Sequence, residues 1–210
     1  MTNYFKVMYK DPSRNLNNIT RYSGVFCIKP ESDGYHVIDM MAICMKIREF
    51  VKEETGYLLD KKDLIYRCYI HDFDENLAGD IQRSIKYHNE SIRSAVAYTV
   101  DSLMRSVYDE ELIHDIETSK DISTYEGLIV KLADTMQASF KIYEEYKLGN
   151  FHFESLIKEH SGFLQDLESV VEKSPLYTQS KESNEILLVL KRIIADFSKT
   201  IKSEVNRIKN

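Results

Sequence analysis

Apolar residues recur every three or four positions along most of this chain, the spacing that places them on one face of a helix. Glycine and proline, which would interrupt such helices, are sparse. The pattern predicts helices at residues 35–55, 61–74, 88–107, 109–116, 124–147, 151–172 and 182–208. It therefore indicates an all-α fold, built as a helical bundle.

The connecting segments carry their own signals. Residues 17–22 are expected to form a short helix that delivers Arg21, and residues 23–34, with two glycines and a proline, are expected to form a loop. Asp60 is a plausible N-cap for the helix that follows it, and Gly149-Asn150 is a plausible helix stop.

The last predicted helix has one broad apolar face. Such a face is usual for a helix packed on a core or on a partner. It predicts core packing or a homodimer interface, through Ile186, Leu187, Val189, Leu190, Ile193, Ile194, Phe197, Ile201, Val205 and Ile208.

Length and composition narrow the class of protein. At 210 residues, with 43% hydrophobic residues, 7 Gly and 3 Pro, the chain is expected to form one compact, mostly helical domain. The net charge is −6, and lysine and arginine are spread through the chain. Nothing suggests a surface for a nucleic acid polymer, although free nucleotides stay possible.

The cysteines and the N-terminus bear on localisation. Cys27, Cys44 and Cys68 are odd in number and lack Cys-x-x-Cys spacing, so they are expected to be small apolar residues in a reducing compartment. The N-terminus has no cationic stretch followed by an apolar one, and no run approaches the ~18 apolar residues of a membrane span. These features predict a soluble, cytoplasmic protein with no membrane partner.

A His71-Asp72 doublet, followed by Glu75 and Asp80, is the feature from which chemistry can be argued. Adjacent imidazole and carboxylate groups give a divalent cation one nitrogen and one oxygen ligand. A solvated ion pair at a helix end is the alternative. The second doublet, His114-Asp115, lies among acidic residues and is expected to belong to a solvated helix.

Two further donors would complete a metal site. His36 heads one apolar helical stretch, and Asp134 lies inside another. A buried carboxylate costs several kcal/mol unless a cation or hydrogen bonds compensate it. His36 alone would more often be a satisfied core histidine, but together with His71, Asp72 and Asp134 it predicts a site for one divalent ion.

Several motifs, in order and at compatible spacing, resemble those of the HD-domain phosphohydrolases, in particular the bacterial 5'-deoxynucleotidase branch and related phage dATP triphosphohydrolases. Residues 71–80 resemble the family's HDxxExxxGD run, and residues 126–134 match its E-x-x-x-V-K-x-A-D segment. The other matching pieces are Arg21-Tyr22, the lead-in 28–32 to His36, residues 85–87, and residues 143–150 with their E-E-x-x-x-G-N pattern. The resemblance implies one HD-type domain over 1–210, with an HD core at about 17–155 and C-terminal helices at about 151–210.

The chain also departs from that family. Where the family usually has glutamate directly before the first histidine, this chain has Tyr35. A hydrogen-bond partner that orients His36 is therefore missing or replaced. Tyr22 stands where the branch has tryptophan, which predicts a different sugar or base pocket. The family's Thr-Pro continuation is replaced at residues 81–84.

The resemblance implies roles for the remaining residues. Glu75 would orient the attacking water or take its proton, and Arg21 and Lys86 would grip the phosphate. Asp80 would accept a hydrogen bond from the 3'-hydroxyl of a deoxyribose, and Tyr22 would pack against the sugar. The ion would be divalent, with Co, Mn, Mg and Zn all compatible with these ligands. The family also points to a homodimer.

Three functions stay open at this point. The first is a 5'-deoxynucleotidase that releases phosphate from deoxynucleoside monophosphates. The second is a deoxynucleoside triphosphate triphosphohydrolase, which needs more cations near the phosphates, for which Lys29, Arg83 and Lys131 are candidates. The third is a catalytically degenerate HD fold that binds nucleotides or serves as an interaction module.

Overall fold

The computed structural model of the chain describes residues 12–81, 86, 88–178 and 181–209. Short 3₁₀ segments cover Pro12–Asn18, Phe151–Phe153 and Pro175–Thr178. The α-helices are α1 (Asp33–Thr55), α2 (Lys61–Ile70), α3 (Glu75–Ala78), α4 (Glu90–Val107), α5 (Glu110–Ser119), α6 (Tyr125–Lys147), α7 (Glu154–Glu172) and α8 (Lys181–Lys209). These ranges contain no strand, so the predicted all-α class is confirmed.

Side-chain caps set where several helices begin. Asp60 accepts hydrogen bonds from the backbone N–H groups of Lys62 and Asp63, which confirms the predicted N-cap of α2. Just beyond the C-terminal end of α6, Gly149 adopts φ +91°, a left-handed conformation that glycine reaches without strain. The helix stop predicted at Gly149-Asn150 is therefore confirmed.

The main core lies where α1, α2, α6, α7 and α8 meet. Fully buried residues recur along the inner face of α1, as the apolar spacing predicted. The apolar face of α8 belongs to this same core, through Ile186, Leu187, Val189, Leu190 and Ile194. That face therefore packs within the chain and gives no support to a homodimer, which stays a prediction from the family resemblance.

A second, smaller core supports the segment that follows α2. It combines Phe73 with apolar residues of α1, α4 and α5 and of the first 3₁₀ segment. The hydroxyl of Tyr108 donates to the backbone oxygen of Phe73 at 2.9 Å. This contact holds the segment from the side of α4 and α5.

Two predicted helices were wrong, one in its length and one in its existence. The helix predicted over 61–74 ends at Ile70, and residues 71–74 form a turn whose Phe73 side chain enters the second core. The helix predicted at 17–22 is absent. Thr20 instead forms an antiparallel bridge with Ser32, and the backbone N–H of Arg21 donates to the oxygen of Glu31 at 3.0 Å. Long-range backbone pairing, which local periodicity does not report, displaced that helix.

The cysteines have no disulfide partner: Cys44 and Cys68 are buried and Cys27 is half-buried. Among the described helices, none has the length and apolar character needed to cross a membrane. The single-domain assignment over 1–210 stays a prediction.

Candidate active site

The His71-Asp72 doublet lies where α2 gives way to the turn. The backbone N–H of His71 makes a helical bond to the oxygen of Arg67 at 3.0 Å. The ring Nδ1 of His71 lies 2.8 Å from the backbone oxygen of Cys68. A carbonyl oxygen can only accept, so Nδ1 carries the proton and the lone pair is on Nε2, as in many metal-binding histidines.

His36 reaches the same point from the first turn of α1. Its side chain is fully buried, and its Nδ1 lies 2.6 Å from Oε1 of Gln137 on α6. The centres of the two imidazole rings, of His36 and His71, are 5.5 Å apart. The two predicted histidines are thus brought together by the consecutive helices α1 and α2.

Both carboxylates predicted as ligands face these rings. An oxygen of Asp72 lies 2.8 Å from Nε2 of His71 and 3.7 Å from Nε2 of His36. An oxygen of Asp134, from α6, lies 3.5 Å from Nε2 of His36. The ligand atoms of His36, His71 and Asp72 all lie within 4.8 Å of one another. Three of the four predicted ligands therefore share one cluster, and Asp134 joins it through its contact with Nε2 of His36.

These residues fit a divalent ion on their own chemistry. Nε2 of His36 and Nε2 of His71 are buried and have no hydrogen-bond partner among the described residues. Buried polar atoms without a partner are rare and costly, and carboxylate oxygens that face a ring lone pair need a proton or a cation between them. Two nitrogen and two oxygen donors form a set that Zn²⁺ and similar borderline ions accept.

The electrostatics favour the metal-binding states of His36 and Asp134 but oppose that of His71, whose ring must lose a proton to bind an ion. Burial, aided by the nearby Arg21 guanidinium, lowers the pKa of His36 to about 3, so its ring is neutral. Burial would raise the pKa of Asp134, but Lys131 and the two histidines outweigh it and hold that pKa below its usual range. For His71 burial lowers the pKa, yet Asp72 outweighs burial and the net shift is upward.

Glu75 opens α3, one turn beyond the doublet, and its Oε2 is buried without a hydrogen-bond partner in the described structure. Its neighbour is Asp33, a fully buried carboxyl at the start of α1. Burial, and then repulsion from Asp72 and Asp33, raises the pKa of Glu75 well above its usual range. Burial likewise raises the pKa of Asp33 to about 6. The two carboxyls can therefore share one proton.

Arg21 lies at the rim of the cluster, surrounded by three carboxylates. Its guanidinium nitrogens lie 3.5 Å from Glu31, 3.5 Å from Asp33 and 3.6 Å from Asp72. Burial would lower the pKa of Arg21, but the surrounding charges raise it, so it is a permanent cation. A guanidinium beside a candidate metal site suits phosphate oxygens.

Tyr22 and Asp80 are directly connected. The backbone N–H of Tyr22 donates to Asp80 Oδ2 at 2.8 Å, and Tyr22 adopts φ +57°, a left-handed conformation that is strained for a residue with a bulky side chain. The Tyr22 ring packs against that of Phe153, with centres 5.7 Å apart. Asp80 therefore helps to hold the turn that presents both Arg21 and Tyr22.

The other predicted cations have different surroundings. Lys29 donates to Glu144 at 3.3 Å, and Lys131 donates to Asp134 at 2.8 Å. Lys86 is half-buried, and its role stays a prediction. Arg83 lies outside the described residues.

Sequence reasoning missed three residues of the site: Glu31, Asp33 and Gln137. Glu31 belonged to a recognised lead-in segment but received no role, and Asp33 follows the Ser32 N-cap, where an acidic residue also suits the helix dipole. Gln137 lies three residues beyond Asp134 on α6, the spacing that puts two side chains on one helix face. That spacing was the one signal that could have found it.

Several known proteins are similar to this chain in sequence or in fold. The 5'-deoxynucleotidase HDDC2 of Dictyostelium discoideum is 30% identical over 147 residues, which are 67% of this chain and 74% of that protein. A solved HD-domain phosphohydrolase from Listeria innocua superposes with a TM-score of 0.68 at 20% identity, covering 96% of this chain and 98% of its own. The cyanophage S-2L HD phosphohydrolase DatZ, bound to dA and one catalytic Zn²⁺ ion, gives a TM-score of 0.54 at 15% identity over 97% of this chain and 98% of its own.

The two solved structures share the fold of this chain, which confirms the HD-domain helical bundle. The sequence model of the family described as 5'-deoxynucleotidase YfbR-like matches residues 4–175. Because that match spans most of the 210 residues, the chain belongs to the YfbR-like 5'-deoxynucleotidase family.

Proposed function

We propose that this protein is a metal-dependent 5'-deoxynucleotidase, which hydrolyses a deoxynucleoside monophosphate to the deoxynucleoside and inorganic phosphate. The observation that carries the proposal is that the buried Nε2 atoms of His36 and His71 face the carboxylates of Asp72 and Asp134, beside the Arg21 guanidinium. This arrangement puts a phosphate-binding cation next to a site for a divalent ion, in a chain whose family cleaves such substrates.

Four residues would hold the ion: His36, His71, Asp72 and Asp134. When bound, a divalent ion supplies Lewis-acid chemistry, because it neutralises phosphate charge and lowers the pKa of a coordinated water. The ion is divalent on this donor set, and Co, Mn, Mg and Zn are the candidates that metal analysis would separate.

The protein's own groups carry the remaining steps. Arg21 binds a non-bridging phosphate oxygen through its forked nitrogens. A water oxygen attacks phosphorus, the bond from phosphorus to the 5'-oxygen breaks, and that oxygen leaves with a proton. Glu75, with its buried oxygen one turn from Asp72, takes the proton from the attacking water and can return one to the leaving oxygen.

The sugar would be recognised at the turn that follows Arg21. Asp80 uses one oxygen to hold the backbone N–H of Tyr22, which leaves its other oxygen to accept from a 3'-hydroxyl. The Tyr22 ring, backed by Phe153, would form a wall where a 2'-hydroxyl would clash. Lys86 is proposed as a second phosphate contact.

The two other functions have weaker support. A triphosphohydrolase needs additional cations, but the ammonium groups of Lys29 and Lys131 already contact Glu144 and Asp134. The degenerate, non-enzymatic fold was supported by the missing hydrogen-bond partner of His36. In the structure His36 has such a partner, because its Nδ1 lies 2.6 Å from Oε1 of Gln137.

Product analysis tests the proposal. Purified protein with Mn²⁺ or Co²⁺ should convert dAMP to deoxyadenosine and phosphate, with dATP and AMP cleaved much more slowly. Chromatography separates the three product sets. Release of triphosphate from dATP would move the assignment to the triphosphohydrolase, and equal cleavage of AMP and dAMP would remove the deoxynucleotide specificity.

A further inference from the structure

We infer that Gln137 is a positioning residue that links the metal-binding His36 to the phosphate-binding Arg21. The connection runs through four side chains, Arg21, Glu31, Gln137 and His36, and we refer to them as the Gln137 link. The inference rests on the proposed function, because it assigns a role to a residue that touches neither substrate nor ion.

The polarity of each hydrogen bond in the link follows from one end. The Glu31 side chain accepts at 3.1 Å from Gln137, and since a carboxylate can only accept, the amide nitrogen of Gln137 must face it. The amide oxygen of Gln137 then faces Nδ1 of His36 at 2.6 Å. An oxygen acceptor requires a proton on Nδ1, which leaves the Nε2 lone pair of His36 aimed at Asp72 and Asp134.

The other arm of the link reaches the phosphate-binding residue. Glu31 Oε1 lies 3.5 Å from Nε of Arg21, and the backbone N–H of Arg21 donates to the backbone oxygen of Glu31 at 3.0 Å. A single amide therefore sets both the tautomer of a metal ligand and the partner of the guanidinium. This chain has Tyr35 directly before the histidine, where the family usually has a glutamate, and the partner of His36 comes from α6.

Burial makes the link stiff. Gln137 is 1% exposed, Glu31 7% and His36 0%, so water does not compete for these hydrogen bonds. An aliphatic side chain of the same length would fill the space in α6 equally well. The polar atoms of Gln137 are therefore expected to serve the site rather than packing.

Two substitutions of Gln137 test its contact with His36 and its contact with Glu31 separately. Gln137→Met keeps the length and removes both hydrogen bonds. It should weaken Mn²⁺ binding, measured by calorimetry without substrate, by about 10–100-fold, the usual effect of losing the partner of a metal-binding histidine. Gln137→Glu keeps an acceptor for His36 but sets a carboxylate against Glu31. It should leave Mn²⁺ affinity within about threefold, while KM for dAMP rises by about tenfold or more through a displaced Arg21.

A double variant and a matched control sharpen the test. Combining Glu31→Gln with Gln137→Glu restores a donor and acceptor pair between the two positions. Mn²⁺ affinity should therefore stay near wild type. The raised KM should persist, because the double variant removes the Glu31 carboxylate that contacts Arg21. Ser139→Ala is the control, since Ser139 is also buried on α6 and, among the described residues, its hydroxyl bonds to the backbone oxygen of Thr135. It should change neither quantity.

One measurement needs no variant. Nitrogen NMR of the wild-type protein should show the His36 proton on Nδ1. A proton on Nε2, or Gln137→Met binding Mn²⁺ as tightly as Ser139→Ala does, would overturn the inference. The NMR and Mn²⁺-binding readouts, unlike KM, are independent of turnover: a protein that binds Mn²⁺ but does not cleave dAMP would refute the proposed function and leave the role of Gln137 at His36 intact.

Discussion

The chain contains the dipeptide His-Asp twice, and the two copies have different structural surroundings. At His71-Asp72 the regular helix has ended, and the imidazole Nε2 and the carboxylate oxygen lie 2.8 Å apart. At His114-Asp115, in the middle of α5, the histidine is exposed and the aspartate accepts from the Tyr66 hydroxyl at 2.6 Å. Neighbouring residues in a regular helix point about 100° apart, so the second pair does not converge.

This difference indicates that the position of the dipeptide at the end of a helix, rather than the dipeptide itself, forms the candidate site. The turn after Ile70 lets His71 and Asp72 face the same point, where α1 and α6 add His36 and Asp134. α5 packs against α2, so the second doublet lies on the neighbouring helix without sharing in the chemistry. Matched substitutions at the two doublets can test this.

The largest effect is expected at the first doublet. His71→Ala should lower phosphate release from dAMP by about 10⁴-fold or more, because losing the ion removes several kcal/mol of transition-state stabilisation and each 1.4 kcal/mol is a factor of ten. His114→Ala should stay within about twofold of wild type. A colorimetric phosphate assay measures both. Similar losses in the two variants would show that the doublets are not functionally distinct.

Glu75 should come next. Glu75→Gln keeps the shape and removes the charge, so kcat should fall by about 10²–10⁴-fold with Mn²⁺ binding unchanged. Asp74→Asn is the matched control in the same turn, since Asp74 is held by Lys120 at 2.9 Å. It should lower turnover much less. If the ranking were reversed, the proton-transfer role would pass to Asp74.

Metal removal should lower the Tm of proteins that keep the first doublet and leave the Tm of His71→Ala unchanged. A ligand present at 100 times its Kd stabilises a folded protein by about 2.7 kcal/mol, which for a chain of this size is about 5–10 °C in Tm. Treatment with EDTA should lower the Tm of wild type and of His114→Ala by this amount, and Mn²⁺ or Zn²⁺ should restore it. The Tm of His71→Ala should not respond. Calorimetric scans with and without EDTA provide the measurement.

The smallest effect is expected at the second doublet, where Tyr66 donates to Asp115. That hydrogen bond raises the pKa of Tyr66 to about 12. A folded-state pKa above the unfolded one stabilises the fold below pH 10 and loses that contribution as pH rises through 12. Asp115→Asn should bring the ultraviolet titration of Tyr66 back towards pH 10 and leave dAMP turnover unchanged. A change in turnover would connect this doublet to the site after all.

Much of the fold followed from the sequence because helical periodicity and caps are local. The apolar spacing of α1, α6 and α8 and the Asp60 cap predicted helices that the structure contains. The boundaries failed where a distant residue intervened. The turn at 71–74 is supported by Tyr108, and the bridge from Thr20 to Ser32 replaced a short helix, and neither contact can be read from nearby residues.

The same division runs through the site. His36, His71, Asp72 and Asp134 could be predicted as ligands from the sequence, because metal binding restricts the residue types and the family motifs preserve their order. The partners of these residues were decided only by the tertiary structure. Gln137, Glu31 and Asp33 act through hydrogen bonds between elements up to 106 residues apart, and any of several polar residues could supply such bonds. The chemistry of the ligands was thus set by the sequence, whereas their orientation depends on which side chains the packing of α1 against α6 brings within reach.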